Sequence, residues 1–179
     1  MANTQDLLSF ESIFLLRFQE YLKTKVPELN YINQDLGQLE YYTMDRPAVA
    51  WPCALLDMSD TNYTDQLNNV QEGTAVIVVR IGFNPFSATS NLQPEEVRKK
   101  GLFYYELEQK VYQALQGWDA DGLCQPLTRI RKTTEKREED AFRVRVLVFT
   151  TMFEDDGAQK ESYKLTLPLD IEAELTPPN

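Results

Sequence analysis

Residues 74–83 read Thr-Ala-Val-Ile-Val-Val-Arg-Ile-Gly-Phe, and this stretch decides the fold. Ala75 to Val79 is apolar at every position and mostly β-branched, the pattern of a strand covered above and below. Its flanks supply the cover. Upstream, from Asp6 to Lys25, Leu7, Phe10, Phe14, Phe18 and Tyr21 or Leu22 recur every three to four residues. That spacing predicts an amphipathic helix, with Thr4 or Asp6 as its cap and Pro27 as its stop. Downstream, Pro94, Glu95 and Glu96 mark a second helix start, Val97, Tyr104, Leu107, Val111 and Leu115 form its apolar stripe, and Gly117 ends it. Gly101 inside that helix implies close packing against a neighbour.

Further strands surround the central one. After a polar stretch from Asn33 to Gly37, Leu39-Glu40-Tyr41-Tyr42 reads as a short strand. Pro47 to Met58 reads as another, with Val49, Trp51, Cys53 and Leu55 on one face, and Pro52 sends it to an edge or a bulge. Ser59 to Glu72 is polar and rich in Asn and Asp, a long hairpin connection with room for strand character of its own. Leu127 to Arg137 alternates weakly under heavy charge, and Glu138 to Ala141 makes a turn. Phe142 to Phe153 then sets Phe142, Val144, Val146 and Val148 on one face, and Arg143, Arg145, Leu147 and Phe149 on the other. An acidic turn, Glu154 to Gly157, precedes Tyr163, Leu165, Leu167, Leu169 and Ile171, which alternate with polar or Pro positions as a strand with one wet face. The order predicts an α+β fold, a mainly antiparallel sheet packed against two helices. Residues 1–157 form one domain in this reading, and 158–179 a C-terminal strand or arm with a loose end.

Composition narrows the chemistry. The chain has 179 residues and no histidine, so an imidazole base, a Ser-His-Asp arrangement and a His-containing zinc site are all excluded. The two cysteines, Cys53 and Cys124, lack metal or redox spacing and read as isolated thiols of a reducing compartment. Seven scattered glycines write neither a P-loop nor a dinucleotide fingerprint. Asp119-Ala120-Asp121-Gly122 opens like a calcium loop but lacks the later ligands, so it reads as a turn. Glu108-Gln109-Lys110 fits the end of a magnesium-dependent nuclease signature, yet it falls in a helix instead of a strand and reads as a solvated helix face. Glu154-Asp155-Asp156 is a charged turn, since consecutive side chains diverge. No catalytic residue, cofactor or resident metal is expected. No apolar run reaches the roughly 20 residues of a membrane helix, and Asp6 and Glu11 interrupt the first apolar stretch, unlike a signal peptide. The Asn62-Tyr63-Thr64 sequon then reads as chance.

Charge is the remaining signal. The net charge is -10, which opposes nonspecific attraction to nucleic acid or an anionic membrane. Leu127 to Phe149 runs against this, with seven basic residues, Arg129, Arg131, Lys132, Lys136, Arg137, Arg143 and Arg145, against four acidic ones. On neighbouring strands the odd-numbered arginines share a face. Two readings stay open for that set, a solvated sheet face with local acidic partners and a protein–protein contact.

Several segments together resemble the tail terminator (tail completion) proteins of long-tailed bacteriophages and related prophages. They are Pro47-Ala48-Val49 opening a strand, a Gln71-Glu72-Gly73 turn before the strong strand through Phe83, and the helix running into Leu115-Gln116-Gly117-Trp118. The Gly122-Leu123 link, the Leu127 to Arg131 strand and the Arg143 to Phe153 strand with its acidic turn complete the likeness, which spans Leu7 to Asp156. The Asn-rich segment before Gly73 and the long alternating C-terminal segment depart from that pattern. The resemblance implies a virion protein without catalysis, assembled in the bacterial host cytoplasm. It would form a ring, commonly a hexamer, that caps the tail tube and joins it to the head through neck or connector proteins. Arg129, Arg131 and Arg137 are then expected to meet acids of a neighbouring subunit. The alternatives are another neck or connector protein, a binding module of double-stranded RNA type opposed by the acidic balance, and a magnesium-dependent nuclease built on Glu108 and Lys110.

Overall fold

The computed structural model describes residues 9–40, 49–84, 89–135 and 142–158. The central strand, β3, spans Gln71–Phe83. Around it lie α1 (Phe10–Lys25), β1 (Tyr31–Gln34), β2 (Cys53–Asp65), α2 (Glu95–Gly101), α3 (Phe103–Leu115), β4 (Thr128–Glu135) and β5 (Arg143–Asp155). The five strands form one sheet in the order β1-β2-β3-β5-β4. All neighbours are antiparallel except β1 and β2. The fold is α+β.

One face of the sheet is packed by helices. Phe14, Phe18 and Leu22 of α1 and Leu107, Val111 and Leu115 of α3 share a core with Leu56, Ile77, Val79, Ile81, Leu147 and Phe149. The period of three to four in both helices is therefore spent on the sheet, and each large side chain so buried contributes about 1.5–3 kcal/mol. Phe10 stacks on Phe153 with ring centroids 3.7 Å apart, and Trp118 stacks on Tyr21 at 4.6 Å. The opposite face carries a smaller cluster at one end only, in which Leu39, Val49, Cys53, Leu55, Val144 and Val146 are buried. Beyond it, Val76, Val78, Val148 and Thr150 are half-buried and Met152 is exposed. The both-faces cover expected for residues 75–79 is complete only on the helix side.

Several local expectations change. Ser9 caps α1, its hydroxyl accepting from the Ser12 N–H at 3.3 Å, where Thr4 or Asp6 was expected; those two lie outside the described residues. Leu39 and Glu40 form a turn, Tyr41 and Tyr42 lie outside the described residues, and the short strand is instead Tyr31–Gln34, overlapping the start of the stretch read as polar. Four residues with a single partner strand leave too short a pattern for periodicity to register. Pro52 falls just before β2, which β1 flanks only from Cys53 to Leu56 and which carries its irregularity between Met58 and Asp60. The hairpin connection is shorter than expected, because β2 runs on to Asp65 and β3 already begins at Gln71. Gln71-Glu72-Gly73 is thus strand, not turn. Gly73 is required there because a Cβ would come within 2.5 Å of the Phe153 ring lying over it. The second helix breaks in two at Leu102, directly after Gly101, so there are three helices among the described residues. Glu138 to Ala141, Tyr163 to Ile171 and the domain boundary's C-terminal side lie outside the described residues.

Candidate interaction surface

Among the described residues β4 is an edge strand, and its register decides where the basic residues go. Arg129 pairs with Phe149 and Arg131 with Val148, the ladder shifting by one residue at Ile130 between them. Directly paired residues share a face, so Arg129 follows Phe149 onto the helix side and Arg131 follows Val148 onto the opposite one. Of the described odd-numbered arginines, Arg129, Arg143 and Arg145 lie on the helix side and Arg131 on the opposite one. An extra residue in a period-two strand reverses every side chain beyond it.

The two arginines also differ in company. Arg129 lies 3.6 Å from the centroid of the Tyr112 ring on α3, while Gln116 accepts its backbone N–H at 3.0 Å. Arg131 is exposed and has no ion pair among the described residues, beside Ile130, which is 57% exposed. Arg137 lies outside the described residues.

The rest of the described basic set is engaged within the chain. Arg143 stands over the Tyr104 ring and donates to its hydroxyl at 3.3 Å. Arg145 is buried and donates to Glu108 and to the Thr134 hydroxyl, and Lys132 reaches the same Glu108 at 2.9 Å. Glu108 is 3% exposed, so the solvated helix face expected for it is wrong. Burial alone would raise its pKa, but hydrogen bonds from Arg145 and Lys132 outweigh this and hold the carboxyl below its ordinary value. Two cations thus occupy the carboxylate that the nuclease alternative needs for a metal. Lys110 points elsewhere and pairs with Glu28. No group of three potential metal ligands occurs among the described residues.

A second ionic site lies on the opposite face and was missed in the sequence. Arg80, 7% exposed, projects from β3. It meets Asp35 at 2.7 Å, Glu40 at 2.9 Å and Glu135 through a two-pronged contact of 3.0 and 2.7 Å. Burial disfavours its charge, and the Glu135 and Asp35 hydrogen bonds more than restore it. Asp57 borders the same hollow, and burial first, then the Asp35 charge, raise its carboxyl above the ordinary value. The available signal was a lone Arg in an otherwise apolar strand, which has to find acids. Which acids was not readable, since they come from two separate segments, the turn after β1 and the far end of β4.

Of the two candidate turns the first is borne out, whereas Glu154 and Asp155 are still strand, paired with Glu72 and Gln71, so the acidic turn starts only after Asp155. Ala120, Asp121 and Gly122 all have positive φ, and Arg17 on α1 donates to the Ala120 and Asp121 carbonyls, so the Asp119 to Gly122 segment is a turn clamped to a helix. Glu154 and Asp155 close β5, with Gly157 bonded back to Asp155. Both cysteines are free. Burial pushes the Cys53 thiol up to about 12 and raises Cys124 as well. A cleft of about 640 Å³ between the α2–α3 break and the ends of β2 and β3 is lined by the rings of Trp51, Phe83, Phe103 and Tyr104 together with charged residues of α2 and α3.

No protein-family model matches the chain, and comparison with curated proteins finds no match. Among solved structures, the chain is similar to one from a particle titled "Virion of native gene transfer agent (GTA) particle", with TM-score 0.48 and 17% identity over 82% of this chain and 92% of that one.

Proposed function

We propose that the chain is a structural, non-catalytic component of a long-tailed bacteriophage or prophage particle, forming a ring that terminates the tail tube and joins it to the head. The observation that carries this reading is the sorting of the basic stretch. Arg129, Lys132, Arg143 and Arg145 are engaged inside the chain, whereas Arg131 has no ion pair among the described residues and lies on β4 beside exposed Ile130, in a protein of net charge -10. Such an edge suits head-to-tail contact with the acidic surface of the next copy, and head-to-tail contacts close into rings. The sequence resemblance supplies the kind of ring, a hexamer meeting tail tube and neck proteins inside the virion after assembly in the host cytoplasm. An acidic lumen would let DNA pass without adhering.

Size-exclusion chromatography with light scattering tests the reading: a stable hexamer is expected, and a monomer at high concentration with turnover of a substrate overturns it. Arg131→Glu is expected to give a folded monomer, and a persisting ring removes Arg131 from the contact. In electrophoretic shift at low salt the ring is expected to leave DNA unretarded.

A further inference from the structure

The sheet has one edge that is only partly covered. β1 pairs with β2 from Cys53 to Leu56 and stops at Gln34, while β2 continues for nine residues, Asp57 to Asp65. Among the described residues no strand covers that side of β2 beyond Leu56. A long bare edge presents unpaired N–H and C=O groups and invites another strand.

A cleft lies under the bare edge. α1 is tied to β1 by the Gln19 amide donating to the Ile32 carbonyl at 3.2 Å, and its earlier turns pass over the place where β1 would continue. The gap left there, of about 210 Å³, is lined by Glu11, Ser12, Leu15, Leu56, Asp57 and Met58. Leu15, Leu56 and Met58 make its floor apolar, and Tyr63, 45% exposed, stands on the helix-facing side further along β2. The site therefore asks for a strand that is apolar on one face.

The sequence carries such a segment, and the described chain before it ends near this edge. The described residues end at Ala158, whose carbonyl accepts from the Asn69 side chain at 3.5 Å, in the turn that immediately follows β2. Residues 159–162 span up to about 13 Å, enough to reach β2 from there. Tyr163, Leu165, Leu167, Leu169 and Ile171 then alternate over nine residues, the same length as the bare part of β2. Pro168 reinforces the fit. In an extended chain successive N–H groups point to opposite edges, so Pro168 removes a donor only from the edge shared with Lys164, Thr166 and Asp170. The other edge is intact. A strand of this kind can pair on one side and closes the sheet on the other.

We propose that residues 163–171 add to β2 of their own chain, antiparallel to Asp57–Asp65, with their leucines set into the cleft beneath α1. The short tether gives the segment a high effective concentration at its own edge, which favours it over a strand from another copy.

Hydrogen exchange of the full-length protein tests the pairing. Leu167→Asp is expected to speed exchange across Asp57–Asp65 by about tenfold or more, while Thr166→Asp, on the other face of the segment, leaves it as in the wild type. Equal exchange in Leu167→Asp and wild type overturns the proposal. Connectivity is read by placing the photo-crosslinker p-benzoylphenylalanine at position 63 in the full chain. A link to residues 163–171 within a band of single-chain mobility is expected. The same link in a two-chain band, or no link to that segment, overturns it. These outcomes are independent of subunit number, which light scattering reads separately.

Discussion

The two faces of the sheet solve the same problem differently. On the helix face, burial of rings and branched side chains dominates, and the buried Arg145 is satisfied by a helix carboxylate, Glu108. On the opposite face the apolar cluster is small, and the largest buried group beside it is Arg80, held by acids from the turn after β1 and from β4. One face is stabilised mainly by removing apolar surface from water. The other depends on matching charge, which stabilises little in itself but is costly to break.

The contrast fails first if apolar truncation costs the same on both faces. Phe149→Ala is expected to lower unfolding free energy by about 3–5 kcal/mol in denaturant titration, and Val146→Ala, on the opposite face, by about 1–2 kcal/mol. Next, Arg80→Met leaves Asp35 and Glu135 without their cation and is expected to cost about 3 kcal/mol. A neutral outcome in the same titration would make the opposite face as tolerant as ordinary surface.

Acid sharpens the comparison further. Glu108 is held below its ordinary value of 4.5, so its contribution is full above that value and is lost as pH falls through the lower folded value. Glu108→Gln is expected to flatten that part of the stability curve, measured by thermal unfolding from pH 6 downward. Asp57 is displaced the other way, so its carboxyl opposes folding as pH rises through its raised value, and Asp57→Asn is expected to stabilise at neutral pH. The smallest effect concerns the thiols. At pH 8, iodoacetamide is expected to modify half-buried Cys124 before Cys53, whose place in the opposite-face cluster pushes it to about 12.

The parts of this molecule that were legible in the sequence are those governed by local period. The helix stripes from Phe14 to Leu22 and from Leu107 to Leu115, and the two faces of β5, follow directly from side-chain direction. β1 was not legible because Tyr31–Gln34 has no apolar alternation, and its place depends on a parallel partner more than twenty residues away. Glu108 looked solvated because its partners, Lys132 and Arg145, sit on strands that its own helix gives no hint of. Arg131 was given the wrong face, because a ladder irregularity is a property of two strands and not of one sequence.

Ile130 makes the surface chemistry of the edge unusually sensitive to how the ladder is paired. It is the extra residue that lets Arg129 and Arg131, two positions apart, look out from opposite faces of β4. Drawing Ile130 into the ladder opposite Val148 would set Arg131 opposite Leu147 and carry it round to the side of the sheet already occupied by Arg129. No charge would be lost from the protein, but an outward-facing cation would be withdrawn, whereas deleting Ile130 would leave Arg131 where it is.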